Sequence, residues 1–155
     1  MSKRGIWVPY VTPTIKYVPA FGLGYGTVVS IDVWWHRIGD RCIVQGECQI
    51  GTAAADVSTI SLPMNSRIDS TRFSSGAPAI VGICSADTAA DTSSFYVLVN
   101  PGASTFVQLG NSIGVASTNP MLIQNVGSII GNNIRISFQF NVPVAGWSAM
   151  RRVWV

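Results

Sequence analysis

From Ile134 to Val142 the chain alternates apolar and polar positions without a slip. Ile134, Ile136, Phe138, Phe140 and Val142 share one parity; Arg135, Ser137, Gln139 and Asn141 share the other. A period of two held over nine residues marks a strand with one face in a core and one in water. The same pattern runs through SIDVWWHRI, where Ile31, Val33 and Trp35 alternate with Asp32, Trp34 and His36. It recurs in RCIVQGECQI, where Cys42, Val44, Cys48 and Ile50 alternate with Arg41, Gln45, Glu47 and Gln49. Between these two runs, Ile38-Gly39-Asp40 predicts a tight hairpin turn. Shorter runs follow at DVSTISLP, PAIVGIC, FYVLVN and STFVQLG, divided by Gly, Pro, Asn and Ser clusters. The Ala-rich pieces TAAAD and SADTAAD are too short to be more than turns. Seven or eight short strands and no helix predict an all-β chain. The expected architecture is a jelly-roll-like antiparallel β-sandwich over residues 27–148.

Both ends depart from this pattern. Residues 1–26 hold Pro9, Pro13 and Pro19 among Trp7, Tyr10, Tyr17, Phe21 and Tyr25, and finish on Gly22, Gly24 and Gly26. Proline at that density forbids a long helix and pushes each preceding residue into extended backbone. The segment reads as an extended Pro/aromatic N-terminal arm. It is too apolar to float free, so Trp7, Tyr10, Tyr17 and Phe21 are expected to dock it on the body, a neighbouring copy or a scaffold. An edge strand of the same domain is the alternative. Removing residues 1–26 is expected to leave a folded sandwich. Residues 149–155 form a short C-terminal tail carrying Arg151-Arg152, either a solvated tip or an anchor on an acidic partner surface.

Composition changes the picture in one respect. Charged residues make up 11% of the chain against 48% hydrophobic, and mean hydropathy is +0.36. No charge occurs from Thr92 to Ile134, yet Pro101, Pro120 and several glycines keep that tract from giving ~18 apolar residues in a row, so it is no membrane span. A chain with so little charge is expected to hide surface in a large permanent interface, because obligate interfaces resemble a domain core cut in half. The net charge of +3 is scattered, without the basic stripe and interleaved aromatics of a nucleic-acid binder. The opening MSKRGIWVPY lacks the apolar stretch of a secretory signal. Cys42 and Cys48, six apart in one strand, lie ~20 Å apart while extended and cannot bridge. With Cys84 they read as reduced core thiols of a reducing compartment.

Candidate chemistry is sparse. His36 is the one histidine, near Asp32 and Asp40, but no nucleophile elbow accompanies it. The cysteine spacings give no zinc site, and no Gly-rich phosphate cradle opens a helix. Asp32, Asp40, Asp56, Asp69, Asp87 and Asp91 fall at turns or strand edges, where solvated or capping roles are expected. Glu47 sits mid-strand, with Arg41 or Arg37 as its expected ion-pair partner. The reading is non-enzymatic, with no cofactor and no metal.

Five motifs carry a resemblance: Trp35-His36-Arg37, Gly39-Asp40, Val44-Gln45-Gly46, Ser61-Leu62-Pro63, and Val142 through Ser148, following Tyr10-Val11-Thr12-Pro13-Thr14. In that order they resemble a β-sandwich module of bacteriophage tail-fibre and related virion surface proteins, over roughly residues 10–148. The resemblance implies a homotrimer exposed on the virion, made in the bacterial host cytoplasm and used for adhesion. Its partners would be other tail or capsid proteins and host cell-surface glycan, for which Trp34 and Tyr96 are the candidate contacts; packing or a trimer interface explains them equally. The module would begin almost at Met1, unlike tail-fibre examples with an anchor and shaft. A capsid decoration protein, either head fibre or cement and docked through the arm, is therefore the alternative. At the closing motif, Pro143 would end the strand because proline cannot donate to a ladder. Gly146 would permit a sharp turn, and Trp147 would cap the core or a trimer seam.

Overall fold

The computed structural model describes residues 4–54, 56–73, 78–87, 92–99, 105–112, 121–123 and 132–154. Over these the chain is all-β. Its strands are β1 (Gly5–Pro9), β2 (Ile15–Tyr17), β3 (Val28–Ile38), β4 (Arg41–Ile50), β5 (Thr59–Ser61), β6 (Ala79–Asp87), β7 (Thr92–Val99), β8 (Phe106–Ser112), β9 (Met121–Ile123), β10 (Arg135–Pro143) and β11 (Met150–Trp154). Three short 3-10 turns are the only helical pieces among the described residues.

The long strands follow the alternation. Val33 and Trp35, Cys42, Val44, Cys48 and Ile50, and Ile136, Phe138, Phe140 and Val142 are all buried. β3 and β4 join through Gly39-Asp40, and Gly39 takes φ 63°, the left-handed region that glycine enters without a Cβ penalty. β10 does not pair with its sequence neighbours. It slots between β4 and β6, antiparallel to both, with Phe140 opposite Val44 on one side and Gly82 on the other. The strand order is β2-β3-β4-β10-β6-β7-β8-β5, with β9 beside β8.

This sheet curls until its ends meet. Directly after β2, Phe21 bridges to Ile60 of β5, with Ser61 N–H donating to the Ala20 carbonyl (3.0 Å) and Gly22 N–H to that of Thr59 (2.9 Å). The result is sandwich-like: two halves of one antiparallel sheet face each other across a single core. Gly46 and Gly82 let neighbouring strand backbones approach closely. A Cβ on Gly82 would run into the Gln139 carbonyl and lie 2.6 Å from the Phe140 Cα.

The ends are where the structure departs from the sequence reading. Among the described residues eleven strands appear instead of seven or eight, and the additional ones are short. Ser85-Ala86-Asp87, read as the start of a turn, continues β6. Residues 15–25 are not an appendage, because Tyr25 is 1% exposed in the core and Tyr17 and Phe21 pack against it. The segment docks on the body of its own chain, as part of the sheet that closes the fold. β1 and the tail strand β11 pair with each other as a separate antiparallel ribbon, Gly5 opposite Trp154 and Pro9 opposite Met150. Neither strand is long enough to declare itself by periodicity; each exists through its partner.

Candidate functional site

Arg37, the Gly39-Asp40 turn, the closing segment Val142–Ser148 and Tyr10 meet at one end of the fold. Arg37, at the end of β3, donates from Nε to the Gly39 carbonyl (2.7 Å) and from its terminal nitrogen to that of Ser148 (2.9 Å). Its guanidinium lies 4.0 Å from the Tyr10 ring centroid and 4.5 Å from that of Trp147, a cation held between two aromatic faces. Trp147 in turn packs against the core, 6.2 Å from Trp35. β10 ends at Pro143, after which Val144 N–H donates to the Asp40 carbonyl (2.8 Å) and Ala145 N–H to that of Arg67 (2.8 Å). Gly146 turns the chain at φ 78° and brings Trp147 back over the core. Pro143, Gly146 and Trp147 thus form a structural cap within the chain.

The docking aromatics divide. Tyr10 is stacked by Arg37 and approached by Arg151 at 5.5 Å. Tyr17 donates from its hydroxyl to the Ser61 carbonyl (3.2 Å), and Phe21 meets Tyr25 edge-on at 4.9 Å. Trp7, on the terminal ribbon, is 60% exposed, with Ile6 and Met150 exposed beside it.

The candidate chemistry is held in structural contacts. Asp40 accepts from Arg72 (2.9 Å), as does Asp69 (3.3 Å). Thr71 hydrogen bonds hold the Asp69 carboxyl below the usual range, with Arg72 contributing. His36 and Asp32 lie four residues apart on one extended strand, ~13 Å along it. Glu47 pairs with neither Arg41 nor Arg37. Its neighbour is Arg135 at 3.9 Å, because β10 runs alongside β4 while Arg41 binds Asn141 and Arg37 is committed to the cap. Cys42, Cys48 and Cys84 are free and buried. Burial pushes the Cys42 and Cys48 thiols up to about 12, and Cys84 also upward. Among the described residues no cluster of His, Cys, Asp and Glu is grouped to hold a metal ion.

What the fold does assemble is a line across its outer face. Successive registers set Trp34 opposite Gln45, Gln45 opposite Gln139, Gln139 opposite Ile83, and Ile83 opposite Tyr96. Trp34 and Tyr96, 62 residues apart in sequence, therefore stand in one row. Four strand steps of about 4.8 Å separate them, ~19 Å in all. Each is 37% exposed, and Ile83 between them is 65% exposed. A shallow trough of about 470 Å³ opens between Gln45 and Tyr96, with Ser85, Ser94, Ser137 and Gln139 on its walls. At the Trp34 end, the Lys16 ammonium sits 5.5 Å from the indole and 2.6 Å from the Asp32 carboxylate. That Lys16 hydrogen bond holds the Asp32 carboxyl below its ordinary range. The sequence flagged Trp34 and Tyr96 separately. Gln45, Gln139 and Ile83 carried no signal of their own, since only the placement of β10 between β4 and β6 brings them into the row.

The chain matches no family model, no curated protein and no solved structure.

Proposed function

We propose that this chain is a non-enzymatic structural protein of a bacteriophage particle surface, a tail-fibre-like module that attaches the particle to its host and works as a homotrimer. The observation that carries the reading is the outer-face row. Trp34 and Tyr96 are partly exposed at the two ends of this row, and the trough between Gln45 and Tyr96 sets exposed Ile83 among uncharged amides and hydroxyls. Contact surfaces of this kind favour large aromatics over mobile charged chains. The order of the five motifs along the sequence adds to it, and those motifs serve the scaffold that holds the face.

A second reading, capsid decoration, is favoured by the terminal ribbon. An isolated two-stranded ribbon is marginal in water, and Ile6, Trp7 and Met150 are exposed on this one, as a strap seated on a shell would require. Immunogold electron microscopy of whole particles separates the two. Gold at tail or fibre tips, with purified protein blocking adsorption to host cells, is the expected result. Gold spread over the head would replace attachment with decoration, and unlabelled particles would remove both.

A further inference from the structure

We infer that the outer edge of β11 takes up an extended acidic segment of another protein as an added strand, a partner site that goes beyond the attachment reading and lies away from the outer-face row. Three observations carry it. The first is an open edge. β1 and β11 form a ribbon of two strands, and among the described residues no strand pairs with the outer edge of either. β1 is blunted by Pro9, which has no N–H to offer, whereas β11 contains no proline. A ribbon of two strands is marginal alone, and a third strand is what such a unit lacks. The second is charge. Pairing of the two strands collects Arg4, Arg151 and Arg152, all exposed, on this one ribbon. Residues 1–31 and 92–155 contain no aspartate or glutamate. The third is the order of side chains along β11, Met150-Arg151-Arg152-Val153. Successive strand residues face opposite ways. Arg152 therefore stands with exposed Met150 and Trp7 on one face, and Arg151 with half-buried Val153 and Val8 on the other.

That order sets what the edge reads. A strand laid beside β11 alternates in the same way, so its residues opposite Arg151 and Arg152 are neighbours in sequence that point to opposite faces. Both are acidic in the matching partner, and the residues flanking them, opposite Met150 and Val153, are apolar. The recognised segment is therefore apolar-acidic-acidic-apolar, in either strand direction. Main-chain hydrogen bonds hold it and the alternate side chains select it, with each guanidinium fork suited to a carboxylate. The same order decides against other occupants. A second copy pairing edge to edge would set arginine opposite arginine, and no two of the seven acidic residues of this chain are adjacent. A nucleic acid presents its phosphates along one backbone, whereas Arg151 and Arg152 face opposite sides of the ribbon.

The test is fluorescence anisotropy, titrating the intact protein into labelled decapeptides, blocked at both ends, with Val-Glu-Glu-Val at the centre. Saturable binding is expected, and about tenfold weaker binding for Val-Gln-Gln-Val and for Glu-Val-Val-Glu. The double variant Arg151→Glu, Arg152→Glu is expected to lose Val-Glu-Glu-Val and to gain Val-Lys-Lys-Val, an exchange that damage to the fold would not produce. Its circular dichroism melt should stay near wild type, because both side chains are exposed on the ribbon. N-methylation of alternate peptide amides separates an added strand from plain charge attraction: one phase should abolish binding and the other leave it. No saturable binding of Val-Glu-Glu-Val, equal binding of Val-Gln-Gln-Val, or indifference to methylation in both phases would overturn the proposal. Tighter binding of an oligothymidine would overturn it in favour of a nucleic acid. A fall in the light-scattering mass of the double variant would overturn it in favour of a contact between copies.

Discussion

Two glycines illustrate how differently one residue type can matter. Gly146 has open space where a Cβ would go but sits at φ 78°, so alanine there meets only the left-handed backbone penalty of about 1–2 kcal/mol. Gly82 is extended but pressed against β10, and its Cβ would need the place held by the Gln139 carbonyl and the Phe140 Cα. Those atoms are the backbone of a central strand, which is paired on both edges and has little room to move. Gly82→Ala is therefore expected to cost about 3 kcal/mol, at the top of the range for overpacking, against about 1–2 kcal/mol for Gly146→Ala. Urea midpoints of the two variants check the ranking, and equal shifts would mean the sheet relaxes at Gly82. The Gly146 turn was readable from the sequence. The demand at Gly82 was not, because it arises from a strand more than fifty residues away.

At the scale of elements, the opening segment is two things joined. β1 touches the fold through the ribbon with β11, whereas residues 15–25 close the sheet and place Tyr25 in the core. Deleting residues 1–9 should leave a cooperative transition within about 1 kcal/mol of wild type, since it removes an exposed ribbon. Deleting residues 1–26 strips the Phe21 bridge from the outer edge of β5 and opens a hole the size of a buried tyrosine, a loss of about 3–5 kcal/mol from that side chain alone. The longer truncation is expected to show no sharp thermal transition by circular dichroism. A stable, cooperative fold after it would mean that the segment is an appendage after all. Sequence signals split the same way: aromatic spacing marked this stretch as bound to something, but proline hid the strands, and what they bind is decided by the far edge of the sheet.

For the whole molecule, the proposed trimer rests on low charge and exposed apolar groups. Ile80, Ile83, Val29 and the ribbon residues Ile6 and Trp7 all exceed half exposure, and the proposed trimer would cover part of this surface. Multi-angle light scattering at micromolar concentration is expected to give three times the 16.5 kDa chain mass. A chain-sized mass would remove the trimer. Salt should barely shift the distribution if the contact is apolar.

Residue order alone determined the strands β3, β4 and β10, their inward and outward faces, the Gly39 turn and the end of β10 at Pro143. Each depends on local chemistry: side-chain alternation, a glycine's freedom, a proline's missing donor. Only the tertiary structure decided that β10 lies between β4 and β6, that the opening segment closes the sheet, and that Trp34 and Tyr96 share a row. Those are facts of register between strands distant in sequence, set by which apolar faces bury together across one core, and no local window contains them.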